Sequence, residues 1–257
     1  MTVRTLAVIP ARLGSTRLPA KPLHPLAGRP LVVWTWSRVA ACGVFDQVVV
    51  ATDSEEVARV ARAAGAPCEL TSPAHPSGTD RVAEVAEREA YRDFQYIVNV
   101  QGDEPLVASG QLAAVLELVR DGGWEVATAA APLESAGEWR DPSVVKVVRA
   151  DDGGALYFSR APVPFKRDAE PDQRELAGGA WLRHLGVYAY RREALSRWAT
   201  LPEGALERIE RLEQLRPLAA GLRIGVAVVE PGPGGVDTAA DARRVEAVLT
   251  RKVRGEP

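Results

Sequence analysis

Several residue types are scarce in this chain, and each scarcity excludes something. Cysteine occurs only as Cys42 and Cys68. Two thiols rule out a disulfide scaffold and fit a reducing compartment. Each reads as a small buried thiol. No apolar run approaches the ~20 residues of a membrane-spanning helix. The first residues, Met1 to Thr5, lead straight into a short apolar run without a signal-peptide pattern. A cytoplasmic location with no membrane partner is the expectation. A net charge of -2 leaves no bulk field to attract nucleic acid. Hydrophobic residues at 46% exclude a disordered tail. Neither a GxGxxG turn nor a GxxxxGK[ST] loop occurs, which disfavours a nicotinamide-dependent reductase and a P-loop enzyme. Lysine stands only at 21, 146, 166 and 252, against 28 arginines, and asparagine only at Asn99. A GC-rich genome or a hot habitat would explain that bias equally well. It gives weight to any lysine inside a conspicuous motif.

What is present has the order of an α/β protein. Leu6 to Ile9, Val48 to Ala51, Glu69–Leu70 and Tyr96 to Val100 read as short buried strands. Between them, helical patterns run over Leu31 to Cys42, Glu55 to Ala64 and Ser77 to about Ala90. Pro30 opens the first, and Thr52–Asp53–Ser54 caps the second. Alternating strands and helices imply a doubly wound, mainly parallel sheet covered on both faces. Ligands bind beyond the carboxyl ends of such strands. In the second half, 126–131, 144–149, 155–159 and 186–190 read as strands, and Pro164 to Gly179 as a mobile loop. A helix over 205–220, a strand over 224–229 and a final helix over 239–252 close the chain. The whole reads as one domain, 1–257, with a smaller mixed-sheet elaboration at about 126–220.

Four constellations carry chemistry. The loop after the first strand gathers Arg12, Ser15, Arg17 and Lys21, cations and hydroxyls suited to a polyphosphate, or it is a solvated basic loop. After the fourth strand, Gln101–Gly102–Asp103–Glu104 ends an apolar run in carboxylates. Such a pair holds a divalent cation against phosphates, or Asp103 caps the next helix. Gly232 to Thr238 is a plastic loop ahead of a helix, in which Asp237 is a second metal carboxylate or a cap. Period two places His184, Gly186 and Tyr188 on one strand face. Glu210 and Gln214 share a helix face beside Glu207, Glu213 and Arg216. These bind a hydroxylated acid, or form a satisfied histidine and a solvated helix. His24 and His75 lack matching partners and read as loop residues.

The phrases PARLGSTRLPAKPL, ATDSEEVA, SGTDRVAEV, VNVQGDEP, VKVV, ALYFSRAPVP, LRHLGVYAYR, ERLEQLR and GVDT run in order from Ile9 to Asp241. Together they resemble the 3-deoxy-manno-octulosonate cytidylyltransferase family. Ala20 departs from the family's glycine, and Phe165 from its tryptophan. The resemblance implies a Rossmann-like nucleotidyltransferase sheet with a sugar-binding and dimerisation region. It implies CMP transfer from CTP to the anomeric hydroxyl of the acid sugar KDO, with release of pyrophosphate, for lipopolysaccharide assembly. It implies Mg²⁺ on Asp103 and Asp237, and phosphates on Arg12 and Lys21 with Ser15 and Arg17 nearby. Arg81 and Gln101 become candidates for the nucleotide. Arg160, His184, Tyr188, Glu213 and Gln214 would grip the sugar, with Arg160 on its carboxylate. A homodimer is implied as well. Another acid sugar, an amino variant of KDO or an acylneuraminate, would share this logic. A nucleotide-sugar glycosyltransferase would fit the acidic motif but would not need a triphosphate loop.

Overall fold

The computed structural model describes residues 3–14 and 18–253, the last two without their side chains. Two compact units emerge, residues 1–109 with 232–257, and residues 110–231. The elaboration expected at 126–220 lies inside the second unit. No helix among the described residues is long and apolar enough to cross a membrane.

The first unit opens with β1 (Thr5–Pro10), a small hairpin of β2 (Pro25–Leu26) and β3 (Arg29–Pro30), and α1 (Leu31–Ala40). Then come β4 (Gln47–Thr52), α2 (Glu55–Ala63), β5 (Cys68–Leu70), α3 (Gly78–Ala86) and β6 (Tyr96–Val100). Four strands pair in parallel, in the order β6–β1–β4–β5. Leu6, Ala7, Val8 and Ile9 are all fully buried. A strand covered on both faces needs apolar residues throughout rather than in alternation. Each large aliphatic side chain so buried contributes about 1.5–3 kcal/mol before entropy is counted. Local chemistry sets the helix starts. Ser54 Oγ accepts from Val57 N at 3.3 Å and Ser77 Oγ from Asp80 N at 3.3 Å. Pro30 takes the N-cap position of α1 rather than its first turn.

The strand order places a topological switch at β1. The chain winds to β4 on one side and returns to β6 on the other. Crevices for ligands form where strand order reverses in this way.

The second unit holds α4 (Ser109–Arg120), β7 (Val126–Pro132), α5 (Ala136–Arg140), β8 (Lys146–Arg149) and β9 (Ala155–Ser159). It continues with α6 (Gln173–Ala177), β10 (Leu182–Arg191), α7 (Arg192–Thr200), α8 (Ala205–Glu210), α9 (Leu215–Ala219) and β11 (Ile224–Val228). Its sheet is mixed. β7 pairs in parallel with β11 and antiparallel with β10. β8 runs antiparallel to both β10 and β9. The chain then re-enters the first unit as α10 (Ala239–Val253). There Ala242, Val245 and Leu249 pack with Leu18, Leu26, Leu31, Leu106 and Val236.

Three expectations change. The helix read over 205–220 is two helices, broken at Arg211 with φ +53°. Pro217 supplies a reason: a continuous helix would lose its hydrogen bond there and drive the ring into the preceding turn, whereas α9 places it near the start. Glu210 and Gln214 therefore do not share one helix face. The stretch Pro164 to Gly179, read as a mobile loop, contains α6 with a reciprocal Asp172–Glu175 cap. Lys166 Nζ donates to both Glu175 oxygens at 2.7 Å, and Trp181 Nε1 to Pro164 O at 3.0 Å. Both cysteines are free and half-buried rather than buried. Burial nevertheless raises each thiol's pKa, for Cys68 to about 11, so neither is an activated thiolate.

Candidate functional site

One glycine brings the carboxyl ends of β1 and β6 together. A Cβ on Gly102 would lie 2.7 Å from the Pro10 carbonyl oxygen, so only glycine lets Gln101–Asp103 lie against Pro10–Arg12. Thr35 of α1 holds this loop, donating from Oγ1 to Gly102 O at 3.0 Å. The 232–238 segment docks on it in turn. Val236 N donates to Asp103 O at 2.9 Å, and a Cβ on Gly235 would meet Glu104 Oε1 at 2.7 Å.

Both capping alternatives now resolve. Thr238 N donates to Asp241 Oδ2 at 2.9 Å, while Asp241 N donates to Thr238 Oγ1 at 3.2 Å. Thr238 and Asp241 thus cap α10, and Asp237 does not. Asp103 caps nothing either, since α4 begins only at Ser109.

Lys21 sits between these carboxylates. Its ammonium donates to Asp103 Oδ2 and, at 2.8 Å, to Asp237 Oδ1. Its side chain is 14% exposed, against 29% for Asp103 and 47% for Asp237. Burial works against the charge, but the two carboxylates outweigh it and raise the Lys21 pKa. Ala20, just before, has φ +49°, in the left-handed region that favours glycine.

Around this triad lies a cleft of about 380 Å³, lined by Arg12, Lys21, Arg81, Gln101, Asp103 and Asp237 among others. The structure thus gathers every described residue that the sequence assigns to nucleotide or metal. Ser15 and Arg17 lie outside the described residues. Arg12 is exposed and has no ion pair among the described residues, so its charge is open to an anion. Arg81 differs, being 3% exposed and committed to Asp53 Oδ2 at 3.0 Å and to Thr71 Oγ1. It shapes the wall with its charge already paired. His75 lines the same cleft, with Nε2 2.5 Å from Glu84 Oε2. The sequence reading places it in a loop, as found, but gives it no partner. The missed signal is its loop, which leaves the carboxyl end of β5.

The residues expected for the sugar lie in the second unit. Arg160 donates from Nε to Glu210 O at 2.8 Å and from Nη1 to Pro142 O at 3.0 Å. A guanidinium has five donors, so others remain for a carboxylate. Lys146, fully buried, donates to the carbonyls of Asp141, Val144 and Arg160 at 2.8, 2.6 and 2.8 Å. Burial lowers its pKa. His184 lies 5.4 Å from Tyr188, ring centre to ring centre, and 5.2 Å from Phe158. A bulge between Leu185 and Tyr188 takes Gly186 out of register, yet His184 and Tyr188 stay opposite Ala130 and Thr128, on one face. Burial pushes the His184 pKa down to about 4, so the ring is neutral at pH 7. Burial also raises the Tyr188 pKa, with smaller contributions from Tyr190 and Glu213, against which a hydrogen bond with Thr128 works. Gln214 is buried at the start of α9.

A cleft at a switch point of parallel strands, with cations around a carboxylate pair, defines a nucleotide-binding transferase. The family model described as cytidylyltransferase matches residues 6–224. The 3-deoxy-manno-octulosonate cytidylyltransferase of Gemmatimonas aurantiaca is 53% identical over 93% of this chain and 92% of its own length. That of Yersinia enterocolitica is 47% identical over 96% and 99%. The chain belongs to the cytidylyltransferase family, among relatives named 3-deoxy-manno-octulosonate cytidylyltransferase. A solved structure of CMP:2-keto-3-deoxy-manno-octonic acid synthetase, complexed with CTP, superposes with a TM-score of 0.87 at 38% identity. The match covers 97% of this chain and 99% of that one. A cytidylyltransferase from Leptospira borgpetersenii, 17% identical with a TM-score of 0.62 over 97% of this chain and 87% of that one, shares the fold.

Proposed function

We propose that this chain transfers CMP from CTP to the anomeric hydroxyl of KDO and releases pyrophosphate. The observation that carries the reading is the meeting of Lys21, Asp103 and Asp237 in the cleft at the β1–β6 switch. The acid sugar belongs to Arg160, His184, Tyr188, Glu213 and Gln214. On the same reading the enzyme is a cytoplasmic homodimer that supplies lipopolysaccharide assembly.

Asp103 and Asp237 suit Mg²⁺. Two hard carboxylates converge on one cation, the Lys21 ammonium, and among the described residues no third His, Cys, Asp or Glu joins them. Mg²⁺ takes one or two carboxylates and fills its other positions with phosphate oxygens and water. When bound it neutralises phosphate charge and lowers the pKa of the attacking hydroxyl. Lys21 lines the same cleft and exchanges a carboxylate for a phosphate oxygen when CTP enters. Arg12 adds a cation that protein carboxylates have not already neutralised. Transfer then depends on holding the hydroxyl in line with the departing pyrophosphate, which is positioning and charge neutralisation rather than covalent help.

Pyrophosphate release from CTP, KDO and Mg²⁺ tests the reading. Release with KDO supports it. Release only with an aminated KDO or an acylneuraminate would reassign the acceptor, and none with any acid sugar would overturn it.

A further inference from the structure

Thr128 is fully buried in β7. Its Oγ1 lies 2.9 Å from His184 Nε2, 2.9 Å from Val187 O and 3.3 Å from Leu185 O. The two carbonyls belong to the bulged part of β10. A carbonyl only accepts, and a hydroxyl has one proton to give. With that proton directed to Val187 O, 2.9 Å away, Oγ1 is left to accept from His184 Nε2–H. A neutral imidazole with Nε2 protonated carries its lone pair on Nδ1. Burial keeps the ring neutral. Among the described residues Nδ1 has no hydrogen-bond partner. Phe158 and Tyr188 hold the ring in place, their centroids 5.2 and 5.4 Å away.

We infer that Thr128 is a positioning residue that fixes His184 with Nε2 protonated, presenting Nδ1 as an acceptor for a hydroxyl of the bound sugar. This rests on the KDO reading and deepens it. A bare nitrogen lone pair recognises a hydroxyl donor and repels a carboxylate, so the acid group falls to cationic donors such as Arg160. The bulge is then functional, since its carbonyls take the only proton that could otherwise reverse the hydrogen bond.

The scarcity of histidine makes this measurable. In the full chain labelled with ¹⁵N-histidine only three imidazoles report, and His184→Gln assigns one of them. The expected wild-type spectrum at pH 7 has a protonated, pyrrole-type Nε2 and a bare, pyridine-type Nδ1. Thr128→Val keeps the branched shape but removes the hydroxyl. It should allow both tautomers and raise KM for KDO about tenfold. It should leave KM for CTP and kcat within about twofold. Thr128→Ser should restore the wild-type pattern. A protonated Nδ1 in the wild type overturns the inference without any variant. So does a Thr128→Val enzyme with one tautomer and an unchanged KM for KDO. Failure of the KDO reading is separately visible, because the wild type would then release no pyrophosphate with KDO while the nitrogen spectrum still tests Thr128.

Discussion

Replacing Lys21 by methionine keeps the side-chain length but removes the charge between Asp103 and Asp237. At about 3 Å and an effective dielectric near 20, each ion pair has a Coulomb energy of about 5 kcal/mol. Most of this is offset by desolvation of the ammonium. Removing one partner of a buried pair costs about 3–5 kcal/mol. Asp237 is 47% exposed, so water and salt soften the loss. A net destabilisation of about 2 kcal/mol follows, or a Tm lower by about 4–8 °C for a chain of this size. The variant should also raise KM for CTP at least about tenfold while changing KM for the acid sugar less. The decisive measurement is Mg²⁺-dependent melting without substrates. In the wild type a divalent ion competes with the Lys21 ammonium for the two carboxylates. In Lys21→Met that competitor is gone, so Mg²⁺ should raise the variant's Tm more than the wild type's and return part of the lost stability. An equal or smaller Mg²⁺ shift in the variant would refute both the assignment of the pair to the metal and the view of Lys21 as its rival.

Other outcomes follow from the same geometry. Asp103→Asn should lower kcat by about a hundredfold or more with an unchanged circular dichroism spectrum; wild-type pyrophosphate release would contradict the role of Asp103. Ala20→Gly should stabilise by about 0.5–1 kcal/mol in urea unfolding, because glycine adopts the left-handed φ without strain, and a loss would contradict that backbone. His184 titrates near 4 when folded and near 6.5 when unfolded. Its contribution is therefore present above pH 6.5 and lost as pH falls toward 4, about 3 kcal/mol in all. His184→Gln should lose correspondingly less stability over that window in urea titrations, and parallel curves would count against the shift. Lys146→Met leaves three carbonyls without their donor and should cost about 3 kcal/mol or more, with a change under about 0.5 kcal/mol speaking against a structural role.

The first unit was legible because its strands leave little choice. Leu6–Ile9 and Val48–Ala51 are apolar throughout and bounded by turn residues, and such runs belong in a parallel sheet. Once β1 and β6 are strands, their carboxyl-end loops hold the ligand, which is why Arg12, Lys21 and Asp103 could be named from sequence, whereas Gln101 needed the family resemblance. The same rule reaches His75 only if the three-residue β5 is trusted as a strand. The second unit was harder for physical reasons. α7 follows β10 directly, and Arg191 provides no side-chain cap, so nothing local marks the change from strand to helix. The helix expected after Asp103 has no bounds from local chemistry, although in α4 Leu112, Val115, Leu116 and Val119 do recur at helical spacing. The break at Arg211 is hidden too, since an αL arginine has no compositional mark. Only Pro217, six residues later, shows that one helix cannot continue. The bulge in β10 is less visible still, yet its two extra residues are even in number and leave His184 and Tyr188 on the face that simple alternation predicts. Alternation therefore places the correct pair together for an incomplete reason. The arrangement that makes the pair useful is the Thr128 hydroxyl, which binds the bulge to His184 and lies more than fifty residues from it in the chain.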